Sequence, residues 1–522
     1  MHIYAIYVNS KFELKIYTKY KNSIYILFSS KQLMEIKLYN TLSRSKEDFV
    51  PIDPSLVKIY TCGPTVYSTQ HMWNMRAAFV MDLLRCVMKT IGWYKVKHIM
   101  NITDVWHLTW DNEWDASQWE DRMEKWARKE WTTAWEVAKK FTRIYISDLK
   151  YLGIPVSTDM TADFESQVLM PRATDHIQQQ IEMIQQMESK WHTYVVDGDG
   201  VYMDTSTMPW YGALLSKKHL EWLEEWSRVD LWAKRNATDF ALWKFNMSWK
   251  KRDMERESPR WIGFPGWHIE CSAMSIEYLW AQFDIHMWGM EHIAVHHTNE
   301  IAQAECSCSS SPWVNYWIHY QWLMMNGTKI SKSTGNVAFV SDAKEKWYSG
   351  KDIRFFFLQA HYRSFHDFTW KWLRAAKFSR ENLISKLASH LEKNDLDDRN
   401  TFEGANLYQV LCTVLADDLD TVQTLAMIHV SSKNPSCEDI IDILLFDQHI
   451  LKLWLLHSVR ELLAKKDEVF DIPQEVIDVA EDRMKAKKNK NYELADDMRT
   501  ELIWLWRIVK DVAWGYELTP VE

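Results

Sequence analysis

Between Lys58 and Asp104 the sequence follows a pattern that few architectures accept. A β-like run, Lys58-Ile59-Tyr60-Thr61, leads into the turn Cys62-Gly63-Pro64-Thr65. From Asn74 to Thr90 apolar residues recur at helical spacing, with Phe79, Leu83, Leu84 and Val87 on one face. A second β-like run, Val96 to Met100, ends in Asn101-Ile102-Thr103-Asp104. Strand, turn, helix and strand in succession open a Rossmann-like parallel α/β sheet, and such sheets gather ligands at the carboxyl ends of their strands. The turn at Cys62 and the stretch after Met100 are the first places to look for a site.

The rest of the chain divides around that sheet. Residues 1–33 match nothing downstream and precede Met34, itself a possible start; they read as a dispensable extension without a targeting role. A catalytic domain is expected over 34–325, with an insertion at about 105–235 that contains a Gly-rich hairpin near Asp197-Gly198-Asp199-Gly200. A loop and connecting fold follow over 326–365. Leu periodicity then predicts an α-helical bundle over 366–470, and Pro473 opens a small terminal domain over 471–522 with a lysine-rich helix pair and a β-like tail. No run of about 18 apolar residues exists, so no membrane span is expected. Seven thinly spread cysteines suit a reducing cytosol, and a cytoplasmic monomer is the expectation. A net charge of −9 argues against a whole-surface polyanion binder. It leaves room for a local strip such as Lys485, Lys487, Lys488 and Lys490, although a charge run of this kind is commonly only a solvated face.

Two motifs suit phosphate chemistry, although taken alone the first also reads as a surface turn with a helix cap and the second as a solvated basic loop. His71-Met72-Trp73-Asn74 falls where the first helix begins, and the N–H groups and dipole of a helix start favour a bound phosphate. Far downstream, Lys329-Ile330-Ser331-Lys332-Ser333 precedes Thr334-Gly335-Asn336. Two ammonium groups with hydroxyls on a Gly-flanked loop suit charge that develops on transferring phosphates. A metal set is also present: Cys62, Cys271, His296 and Glu300 offer two thiolates, an imidazole and a carboxylate, with the last two on one face if their segment is helical. Such donors suit zinc. Taken singly, each has a plainer reading, the cysteines as small buried hydrophobes and the other two as a surface pair.

In this order, the two phosphate motifs resemble the HIGH-type and KMSKS-type signatures of class I aminoacyl-tRNA synthetases. Cys62-Gly63-Pro64-Thr65-Val66-Tyr67, Asn101-Ile102-Thr103-Asp104-Val105, Pro265-Gly266-Trp267-His268-Ile269-Glu270-Cys271-Ser272-Ala273-Met274 and His296-His297-Thr298-Asn299-Glu300-Ile301-Ala302-Gln303 narrow the resemblance to the cysteinyl-tRNA synthetase family, over roughly residues 34–522. The resemblance implies two-step chemistry: Mg-ATP and L-cysteine give cysteinyl-adenylate, and the acyl group then passes to the terminal adenosine of tRNA(Cys). It implies that His71 and Asn74 steady the phosphates, that Lys329 and Lys332 stabilise the transition state, and that Ser331 and Ser333 belong to the ATP site. It further implies one zinc ion per chain that selects the cysteine thiol, with Thr65, Trp267 and His286 lining the amino-acid pocket. The helical bundle and terminal domain would reach the tRNA anticodon. Two rivals share part of this pattern: a mycothiol-type cysteine ligase, against which the segment after about residue 400 argues, and a catalytically impaired tRNA-binding paralogue.

The second rival is motivated by an abnormal composition. The chain has 30 Trp and 14 Gly, where roughly 37 Gly are ordinary for this length. Trp114, Trp119 and Trp126 sit in charged, turn-like strings that suit glycine. Trp73 stands where the HIGH-type signature has Gly, and Trp106, Trp126, Trp131, Trp261 and Trp288 also fall at family Gly positions. Met287, Glu291 and Thr298 depart from the pattern as well. A codon decoded as glycine in the source organism, most simply UGA, but rendered here as Trp would account for the tryptophans. It leaves Met287 and Thr298 unexplained.

Overall fold

The structure is a computed structural model, and it describes residues 34–104, 132–215, 234–246, 255–260, 262–329, 337–393, 406–467, 474–489, 491–504, 507–512 and 515–520. Residues 1–33 lie outside that set, as do Trp106, Trp114, Trp119, Trp126, Trp131, Trp261, Ser331, Lys332, Ser333 and Lys490.

Six parallel strands make the central sheet: β1 (Leu56–Thr61), β2 (Lys95–Met100), β3 (Val156–Ser157), β4 (Val168–Leu169), β5 (Phe283–Gly289) and β6 (Val314–Tyr320), in the order β6-β5-β1-β2-β4-β3. β5 is buried at every position, as a strand covered on both faces must be. Helix α1 (Met72–Thr90) connects β1 to β2, confirming the opening pattern with a start two residues earlier than expected. The predicted apolar face is buried, but so are Arg76, Asp82 and Arg85. Their burial is possible because each is paired. Arg76 donates to the carbonyls of Gln321, His361 and Ser364 at 2.8–3.1 Å, and Asp82 meets Arg354 at 2.9 Å and Lys452 at 2.8 Å. α1 is therefore enclosed by later parts of the chain rather than simply amphipathic.

The stretch read as an insertion is not wholly separate. Two short strands inside it, β3 and β4, pair in the central sheet, and helix α2 (Ala134–Tyr151) leads into them. The separate layer is an antiparallel sheet of Thr193–Val196, Gly200–Met203, Phe240–Phe245 and Gly263–Pro265, with the expected hairpin at its edge, after helix α3 (Ile177–Ser189). Helices α4 (Trp267–Leu279) and α5 (Thr298–Cys308) flank β5 in sequence. From Trp370 to Asp467 the described chain is helical. It divides into two compact units at Val459, inside the helix Leu455–Asp467 and ahead of the boundary expected at 470. The second unit holds two helices, Gln474–Lys488 and Tyr492–Trp504, and a hairpin of Arg507–Val512 with Gly515–Pro520. Val476, Ala480, Leu502 and Val509 form its small core. Among the described residues no helix is long and apolar enough to cross a membrane.

Candidate metal centre and active site

β2 and β4 lie on one side of β1, β5 and β6 on the other, so the strand order reverses between β1 and β5. Open α/β sheets bind ligands just beyond the strand ends at such a switch. Cys62 leaves β1 there. The next residue must be glycine, because a Cβ on Gly63 would lie 1.5 Å from the Asn101 carbonyl oxygen. The Gly63 N–H instead donates to Asn101 Oδ1 at 2.7 Å, which draws the ends of β1 and β2 together.

The same point receives Cys271 from α4, Glu300 from the first turn of α5, and His296 from the π-type turn Ile293–His297 before it. All four are buried, and one donor atom of each lies within 4.8 Å of the others. Thus residues from three separate stretches converge, and His296 and Glu300, four apart, lie 2.9 Å from each other. Short π-type turns are frequent at functional sites.

Charge makes the cluster unusual. Burial pushes the Cys62 thiol well above its usual range, and Cys271 and Glu300 push it further. Burial disfavours an imidazolium at His296, but Glu300 and Cys271 outweigh it and raise the ring to about 10. Burial acts upward on Glu300, and His296 and His286 more than reverse it, holding the carboxyl below the ordinary range. His296 Nε2 lies 2.9 Å from Glu300 Oε1, and His286 Nε2 lies 2.9 Å from Glu300 Oε2. Yet His296 Nε2, His286 Nε2 and Glu300 Oε2 have no aligned hydrogen-bond partner. A dication held among these donors would satisfy His296 Nε2 and Glu300 Oε2. Two sulfurs, one nitrogen and one oxygen fit zinc. A second quartet, Cys62, His286, His297 and Glu300, meets the same distance limit. It shares two members with the first, so the two describe one ion's surroundings, and the first has the softer donors.

Outer partners brace this set. His268 Nδ1 lies 2.8 Å from His296 Nδ1, leaving Nε2 of His296 for the centre. Thr41 Oγ1, His319 and His297 form a chain of 2.8 Å contacts that ends 3.5 Å from Cys62 Sγ. Burial keeps His319 and His297 far below their usual range and so neutral. With one proton on each ring, the chain is satisfied throughout when Thr41 donates to His319, His319 to His297, and His297 to a thiolate at Cys62. Sequence reasoning missed His268, His297, His319, Thr41 and the Asn101 contacts. The adjacent pair His296-His297 was the one local signal.

The Trp267 ring packs 4.5 Å from His296 and 5.5 Å from His292, forming a wall beside the quartet. His286 is buried in β5, stacked 4.7 Å from Trp317. Thr65 bridges Thr103 at the ends of β1 and β2. His71 caps α1, and its N–H donates to Asn74 Oδ1 at 3.3 Å. It also pairs with Phe339, while Met72 N–H donates to the Ala338 carbonyl at 2.8 Å. Residues 338 and 339 are thereby fastened to the start of α1. Lys329 ends the short strand Thr328–Lys329, and the rest of the lysine motif, 330–333, lies outside the described residues. Of the departures, Thr298 Oγ1 donates to the Ile293 carbonyl at 2.8 Å and Glu291 Oε2 accepts from Trp322 Nε1 at 3.0 Å. Met287 fills the sheet core.

A parallel sheet with its donor cluster and helix start at the switch point is compatible with a class I aminoacyl-tRNA synthetase, and comparison with known proteins shows that class. Residues 48–378 match the family model "tRNA synthetases class I (C) catalytic domain". The cysteine–tRNA ligase of Treponema denticola is 36% identical over 504 residues, covering 92% of this chain and 98% of the relative. That of Caldicellulosiruptor saccharolyticus is 35% identical over 501 residues, covering 93% and 100%. Among solved structures, methionyl-tRNA synthetase of Mycobacterium tuberculosis bound by methionyl-adenylate is similar in fold, with a TM-score of 0.54 at 12% identity over 76% of this chain and 92% of that one. The chain belongs to the cysteine–tRNA ligase family.

Proposed function

We propose that this chain activates L-cysteine with ATP and transfers it to tRNA(Cys), and that a zinc ion held by Cys62, Cys271, His296 and Glu300 selects the amino acid by its thiol. The observation that carries this reading is the buried convergence of those four donors at the strand switch. Bound zinc would supply a thiophilic centre, for which serine's harder and less acidic hydroxyl is a poor substitute. A site that loses a strong polar contact with the wrong substrate discriminates by orders of magnitude without editing.

The protein's own residues do the rest. Trp267 and His286 wall the amino-acid pocket, and Thr65 lies at its β1 edge. The start of α1, with His71 and Asn74, faces the ATP phosphates, brought as the Mg2+ complex. As the cysteine carboxylate oxygen bonds to the α-phosphorus, pyrophosphate leaves, and Lys329 and Lys332, with Ser331 and Ser333 on the same loop, balance the charge that develops. A hydroxyl of the terminal adenosine then attacks the acyl carbon and AMP leaves. Catalysis is positioning and electrostatics, with no covalent nucleophile from the protein. Lys485, Lys487 and Lys488 on the terminal helix Gln474–Lys488 suit tRNA phosphates.

ATP–pyrophosphate exchange dependent on cysteine, and not on serine, is expected, followed by charging of purified cysteine tRNA. Exchange without charging would favour a ligase that uses another acceptor. Absence of exchange in metal-loaded protein would favour the impaired paralogue, the reading that Trp73 supports: its ring lies 5.8 Å from His71, nearly parallel, and its buried Nε1 has no hydrogen-bond partner.

A further inference from the structure

Eleven non-glycine residues have positive φ among the described residues, and five of them are tryptophans: Trp93, Trp191, Trp280, Trp347 and Trp454, at +56° to +71°. Tryptophan is 30 of 522 residues, so a share near half is far out of proportion. Bulky side chains are genuine outliers in this region, whereas glycine enters it freely.

The hydrogen bonds show which residue each position was shaped for. α2 ends on Gly153 at φ +76°, where Gly153 N–H donates to the Lys150 carbonyl and Ile154 N–H to that of Leu149. After α3, Trp191 N–H donates to the Glu188 carbonyl and His192 N–H to that of Met187, with the same spacings. After the helix Val340–Glu345, Trp347 N–H donates to Lys344 and Tyr348 N–H to Ala343, again in register. Glycine is the usual residue at this left-handed helix terminus. Trp280, which ends α4, has φ +71° and ψ −175°, a combination essentially confined to glycine.

Trp191 and Trp347 are each 86% exposed, so their side chains bury little. Trp280 and Trp454 are also exposed and lie over the ammonium groups of Lys58 and Lys351, at 4.2 and 4.5 Å. Trp243, Trp313 and Trp317, by contrast, are fully buried in the core with ordinary backbone. The tryptophans are two populations, one that packs and one that occupies glycine turns.

We infer that the polypeptide made in its own cell carries glycine at positions 93, 191, 280, 347 and 454, read from UGA, and by the same decoding at 73, beside the proposed ATP site. UGG then underlies Trp243, Trp267, Trp313 and Trp317. The native cleft is more open than the printed sequence implies, since glycine at 73 removes the ring that lies over His71.

The inference stands on helix ends and not on the activity proposed above, and its decisive test needs no assay of activity. Peptide mass mapping of the protein purified from its source organism is expected to find glycine at all five turn positions and indole at Trp313 and Trp317. Indole at the five turn positions overturns the inference. Independently, the printed chain can be compared in thermal unfolding with the variant Trp93→Gly, Trp191→Gly, Trp280→Gly, Trp347→Gly, Trp454→Gly. A midpoint raised by several degrees is expected, and an unchanged or lowered midpoint counts against it. Should the printed chain fail to fold, the mass map still decides.

Discussion

Two buried polar clusters lie in the larger unit, and they are built on opposite principles. In the first, Asp82 of α1 meets Arg354 of the helix Gly350–Leu358 and Lys452, so a carboxylate faces two cations in aligned hydrogen bonds at 2.8–2.9 Å. Arg354 Nε is also satisfied, donating to the Leu451 carbonyl at 3.0 Å. In the second, one donor atom each of Cys62, Cys271, His296 and Glu300 lies within 4.8 Å of the others, yet His296 Nε2 and Glu300 Oε2 have no aligned hydrogen-bond partner. In the first cluster both Asp82 oxygens are paired with cations, and it holds three parts of the chain in place, although Arg354 Nη2 is left without a hydrogen-bond partner. The second is incomplete without something at its centre. Burial and charge alone do not distinguish a staple from a site; the direction in which the atoms point does.

The sharpest way to break this contrast is to remove one donor from each cluster. Cys271→Ala is expected to take zinc content from about one per chain to near zero, by metal analysis of purified protein. Cysteine-dependent exchange should fall by more than the roughly 100-fold typical of losing an outer partner. Retention of full zinc by that variant would refute the quartet. Asp82→Ala leaves two buried cations without a counterion and is expected to cost about 3–5 kcal/mol in denaturant unfolding, with zinc per folded chain unchanged.

Acid sharpens the comparison further. Burial alone would raise the Asp82 carboxyl, but Lys452 and Arg354 outweigh it and hold it at about 2, against about 3.9 in an unfolded chain. Its contribution, roughly 2–3 kcal/mol, is therefore complete above about pH 4 and is lost as pH falls through about 2. Unfolding midpoints measured from pH 5 downward should show this loss in the parent chain and not in Asp82→Asn. Equal slopes would remove the triad from the acid response.

These two clusters also mark how far the sequence could be read. The β1-turn-α1-β2 opening was legible because its periodicity is local, and the Cys62, Cys271, His296 and Glu300 quartet because the family resemblance singled out four residues that each also have a plainer reading. The triad was not legible, since Asp82 finds its partners 272 and 370 positions away and nothing in α1 announces them. β3 and β4 escaped because two residues cannot display a strand's alternation. The π-type turn that carries His296 has no sequence signature separating it from an ordinary helix start. The glycine-like turns were foreseen only as a compositional imbalance, because a backbone angle is invisible until the helices have ends.

The smallest expected effect is the most discriminating. His268 touches none of the other three ligands in the contacts described above, but its Nδ1 lies 2.8 Å from His296 Nδ1, and its ring meets Phe240 edge-on at 5.7 Å. If the quartet is a metal centre, this contact fixes the ring of His296 with Nε2 inward, and His268→Ala should weaken zinc by about 10–100-fold. Competition against a chelating dye reads that directly, and the KM for cysteine should rise more than kcat falls. If the quartet were instead a staple like the Asp82 triad, the same substitution would lower the unfolding midpoint, and neither the parent chain nor the variant would hold zinc against the dye. Because His268 is not one of the four donors, a role in orienting His296 predicts weakened binding from its loss.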